Sequence, residues 1–114
     1  MGYRLFVEKV GKDNPKYYGT KLYGYYDEKK LKSYQLLIKK GYLNENKYYN
    51  WWSYSCDNAI LMRAEDFREF AKLYEEDLNQ YYEDDHNPAD FIEDEDIQAF
   101  MKLDDWELIV ISWG

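Results

Sequence analysis

One cysteine, one histidine and two prolines are all that a chain of 114 residues holds of those types, and each scarcity removes a class of explanation. With Cys56 alone, no intramolecular disulfide forms, so the staple of small secreted domains is missing and a reducing, cytoplasmic setting is favoured. His86 and Cys56 supply the only imidazole and thiol, one in an acidic stretch and the other beside an aromatic one, which leaves no local nucleophile and base. No run approaches the roughly 18 apolar residues of a membrane span, and Met1–Val10 is broken by Arg4, Glu8 and Lys9, unlike the apolar core of a signal peptide. A soluble chain with no membrane partner is expected. Glycine is sparse too: no glycine-rich loop leads from a strand into a helix, and Gly19 and Gly24 lack the context of a phosphate-binding turn.

What is abundant is acid and aromatic side chain, unevenly placed. Residues 1–54 hold 11 Lys and Arg against 5 Asp and Glu, whereas residues 55–114 hold 4 against 18, within a net charge of −8. Each half repels itself unless the other half or an outside partner neutralises it. The 46% hydrophobic content excludes overall disorder, while a mean hydropathy of −0.86 shows how much apolar area belongs to amphipathic tyrosines. The length suits one domain, residues 1–114, with one core.

Periodicity gives the elements. Tyr3 to Val10 alternates as a strand; Gly11 to Gly19 carries Asp-Asn-Pro between two glycines and reads as a loop; Leu22 to Tyr26 reads as a second strand. Asp27 is placed to cap a helix of about three turns whose face is Leu31, Tyr34, Leu37 and Ile38, closed by Lys39-Lys40-Gly41. Tyr48 to Tyr54 and Ala59 to Arg63 read as strands, with a turn at Asp57-Asn58. Ala64 opens a long helix with the stripe Phe67, Phe70, Ala71, Tyr74, Leu78 and Tyr81, which Glu83 to Pro88 must end. A short helix follows near Glu93 to Leu103, and Trp106 to Trp113, apolar on both faces, belongs inside the sheet. The order β-β-α-β-β-α-α-β implies an α+β fold: about five strands, mixed or antiparallel, with two long helices and one short helix mainly on one face.

Enzymatic chemistry finds little support. With 23 acids any two form a nominal acid/base pair, and the spacing singles out none. Read as a calcium loop from Asp85, the fifth position is Ala89 and the sixth, where glycine is required, is Asp90. No catalytic residue, metal site or cofactor is therefore assigned, and a metal-dependent or hydrolytic enzyme is the least favoured reading.

Interaction chemistry finds more. Glu75, Glu76 and Asp77 are expected on the outer surface of the long helix, and with Glu83, Asp84, Asp85, Asp90, Glu93, Asp94, Glu95, Asp96, Asp104 and Asp105 they extend one negative field. Carboxylates along a helix and its following loop imitate duplex phosphates, so the expected partner is a basic, nucleic-acid-binding protein. The competing account is a solvated face partly neutralised by Lys29, Lys30, Lys32, Lys39 and Lys40. In the aromatic strand both faces are aromatic, which nominates Tyr49, Trp51, Trp52 and Tyr54 as anchors for a partner or for a homodimer. An alternative is a single-stranded nucleic-acid module that uses Tyr17, Tyr18, Tyr23, Tyr25 and Tyr26 among Lys9, Lys12, Lys16 and Lys21; the net charge opposes it. Small, acidic, cysteine-poor and tyrosine-rich, the chain is similar to many phage-encoded inhibitors of nucleic-acid machinery, a likeness of composition and not of motif.

Overall fold

The computed structural model describes residues 4–11, 15–20, 28–42, 58–81 and 91–113. Four strands, β1 (Arg4–Lys9), β2 (Lys16–Thr20), β3 (Asn58–Arg63) and β4 (Leu108–Trp113), form one sheet in the order β2-β1-β4-β3. Every neighbouring pair is antiparallel. Three α-helices, α1 (Lys32–Lys39), α2 (Ala64–Tyr81) and α3 (Glu95–Met101), contribute to a core built on one face of it. The class is α+β.

Alternation decides which strand residues enter that core. Leu5 and Val7 of β1, Ile60 and Met62 of β3, and Ile109 and Ile111 of β4 are buried against the helices. The register aligns them in rows, Val7 opposite Ile111 and Ile60 opposite Ile111 on the other side. As the apolar character of its two faces implies, β4 lies inside the sheet, and Val110 and Ser112 on its other face are buried as well.

The long helix begins and runs as its stripe dictates. Phe67, Phe70, Ala71, Tyr74 and Leu78 are all buried, and the aromatic members join a continuous chain of rings. Phe100 meets Phe67 at 5.7 Å, Phe67 meets Phe70 at 6.0 Å, Phe70 stacks on Tyr74 at 5.4 Å, and Tyr74 touches Phe91 at 5.2 Å. Phe91 then takes the edge of Tyr17 at 5.3 Å, so the chain crosses from α3 through α2 to β2. Each such pair adds about 0.5–1.5 kcal/mol beyond its area burial.

Several expectations are corrected. Residues 16–19, read as part of a loop, form β2 together with Thr20, because the tyrosines after Pro15 pair with β1 and place Tyr17 over the core. Gly19 is needed there: a Cβ at this position falls 1.8 Å from the Tyr17 hydroxyl oxygen. The helix expected from Asp27 is instead a 3-10 turn, Glu28–Lys30, followed by eight residues of α1, so among the described residues only α2 is long. Its far end follows expectation, since Gly41 adopts φ +82°. The N–H groups of Gly41 and Tyr42 close back on the carbonyls of Ile38 and Leu37, at 3.0 and 2.9 Å. The expected strands Leu22 to Tyr26 and Tyr48 to Tyr54, the cap Asp27 and the break at Glu83 to Pro88 lie outside the described residues.

Candidate functional site

The acidic residues nominated by the sequence separate into two groups by what they touch. Those on α2 face inward or pair within the chain. Asp77, expected on the outer surface, is 1% exposed. Its carboxylate accepts from Lys32 N–H at 3.0 Å, Ser33 N–H at 2.9 Å and Ser33 Oγ at 2.7 Å. Leu31, at the N-cap of α1, provides no capping side chain, so the orphan donors of that helix turn to α2 for an acceptor. The positive end of the α1 dipole faces the carboxylate, which compensates its loss of water. Glu75 is half-buried and accepts the Ile92 N–H at 2.8 Å, tying the approach to α3 against α2. Glu76 is exposed and meets Lys32 Nζ at 3.2 Å.

The second group precedes and opens α3. Asp94 is its N-cap, with Oδ1 accepting the Asp96 N–H at 2.8 Å, and Glu95 and Asp96 occupy the first turn, where the helix dipole favours acids. Glu93, Glu95 and Asp96 are exposed, and among the described residues no lysine or arginine pairs with them. Asp104 is exposed too, whereas Asp105 binds Arg68. Glu83, Asp84, Asp85 and Asp90, and the aromatic anchors Tyr49, Trp51, Trp52 and Tyr54, lie outside the described residues, as do Cys56 and His86.

Several described lysines of the first half are directed elsewhere. Lys9 pairs with Glu107 at 3.2 Å, Lys16 with Glu8 at 3.8 Å, and Lys40 with Asp66 and Glu69 at 2.8 and 3.1 Å. Neutralisation within the fold therefore reaches Glu76, Asp66, Glu69 and Glu107 from Lys32, Lys40 and Lys9. Among the described residues it does not reach Glu93, Glu95 or Asp96. Tyr17, nominated as a base-stacking platform, is packed edge-on against Phe91.

One polar cluster was not legible in the sequence. Tyr42 donates its hydroxyl proton to Asp66 Oδ2, Lys40 donates to Asp66 Oδ1, and the Arg63 N–H donates to the Tyr42 oxygen at 3.3 Å. Burial alone raises the Asp66 carboxyl, but the Lys40 and Tyr42 hydrogen bonds outweigh it and hold it below the usual carboxylate range. Burial, aided by the Asp66 hydrogen bond, pushes the Tyr42 phenol up. Hydrogen bonds to Asp66 and Glu69 raise Lys40. The cluster joins the end of α1, the end of β3 and the first turn of α2, and its donors and acceptors are already engaged with one another. Glu107 is lowered by the Asp104 N–H and then by Lys9.

Among the described residues no group of three or more His, Cys, Asp or Glu side chains is arranged to hold a metal ion. No helix of the described residues is long and apolar enough to cross a membrane. Comparison with protein-family models, with curated proteins and with solved structures finds no match.

Proposed function

We propose that the chain is a non-enzymatic interaction protein whose acidic surface before and at the start of α3 docks onto a basic surface of a nucleic-acid-binding protein, as an inhibitor or decoy. The observation that carries this reading is the distribution of ion pairs: Glu93, Glu95 and Asp96 stand exposed without a cation among the described residues, while Lys9, Lys32 and Lys40 are occupied by other acids. Glu83, Asp84, Asp85 and Asp90 adjoin them in the sequence and belong to the same surface in this reading. Exposed unpaired carboxylates keep their full field at short range, which steers a cationic partner and fixes its orientation.

The test neutralises the surface without disturbing its support. Asp94 is left intact because it caps α3, and Glu93→Gln, Glu95→Gln and Asp96→Asn are combined. Binding to immobilised DNA-binding proteins is then measured between about 0.05 and 0.4 M salt. The triple variant binds more weakly and with a flatter salt dependence; unchanged affinity rejects the surface. Retention of the chain itself on single-stranded DNA at about 0.15 M salt supports the nucleic-acid module instead.

A further inference from the structure

We draw no further inference here: the strongest candidate, the surface patch of exposed apolar side chains at Val10, Leu61 and Leu108 on the sheet face turned away from the helices, carries nothing because nothing in the structure shows what covers it.

Discussion

Asp77→Ala isolates the contact that joins α1 to α2. The substitution removes the acceptor of three hydrogen bonds, from Lys32 N–H, Ser33 N–H and Ser33 Oγ. These donors do not suffer equally. Lys32 is exposed and its N–H gains water, and the Ser33 hydroxyl rotates, but the Ser33 N–H is buried and loses its Asp77 acceptor. Removing the acceptor of a buried donor costs about 1–3 kcal/mol, and losing a helix cap costs about 1 kcal/mol more. The expected loss is about 3 kcal/mol, or a fall of about 12 °C in thermal midpoint for a domain of this size. Asp77→Asn keeps the shape and one carbonyl oxygen and loses about half as much, while Ser33→Ala removes the hydroxyl bond to Asp77 and loses about 1 kcal/mol. Urea denaturation followed by far-ultraviolet circular dichroism gives these differences from the midpoints at constant slope. In the double variant Asp77→Ala with Ser33→Ala the losses sum to less than the two single effects, because one hydrogen bond is counted in both. A loss below about 1 kcal/mol for Asp77→Ala, or an asparagine variant no more stable than the alanine one, refutes the assignment of Asp77 as the cap of α1.

The remaining predictions concern the other tied points of the fold. The stabilisation that Asp66 supplies is complete above its ordinary value of 3.8 and disappears as pH falls through its lower folded-state value, so Asp66→Asn flattens the acid limb of stability against pH, read from urea midpoints. Tyr42 works at the other end: its share is complete below 10.0 and vanishes as pH rises through the raised folded-state value, and Tyr42→Phe removes that alkaline component. Gly19→Ala forces the Tyr17 ring away from Phe91 and costs about 1–3 kcal/mol by chemical denaturation, part of which Tyr17→Ala recovers in the same background. Phe100→Ala, at a fully buried position in the ring chain, costs about 3–5 kcal/mol in the same assay.

Elements whose burial follows a local period were legible in the sequence. The stripe of α2, the short length of α3, the left-handed Gly41 and the interior position of β4 all follow from residues close to one another in the chain. What was not legible depends on partners far away. Asp77 sits in the run Glu75-Glu76-Asp77, which reads as a solvated face; only the arrival of the α1 N-terminus, 44 residues earlier, turns it into a buried cap. The acids of that run thus have three different roles at adjacent positions. Tyr42 and Asp66 likewise meet across 24 residues, with no signal beyond a tyrosine that follows a helix-ending glycine. The segment 16–20 was masked by the turn chemistry of Asp13-Asn14-Pro15, although Tyr17 and Tyr18 favour a strand and β1 supplies the pairing edge. The acidic surface was legible in composition, but which carboxylates remain unpaired depends on where Lys9, Lys32 and Lys40 come to rest.

The strand order carries a kinetic consequence. Because β4 is last among the elements yet lies between β1 and β3, Val7 waits for Ile111 before the sheet can close, and the hairpin β1–β2 and the strand β3 have no common neighbour until then. Closing so large a loop late makes folding slow relative to a helical bundle of the same size. During synthesis, β1 and β3 leave the ribosome with the groups meant for β4 unpaired, and they are exposed to wrong pairing until residues 108–113 emerge.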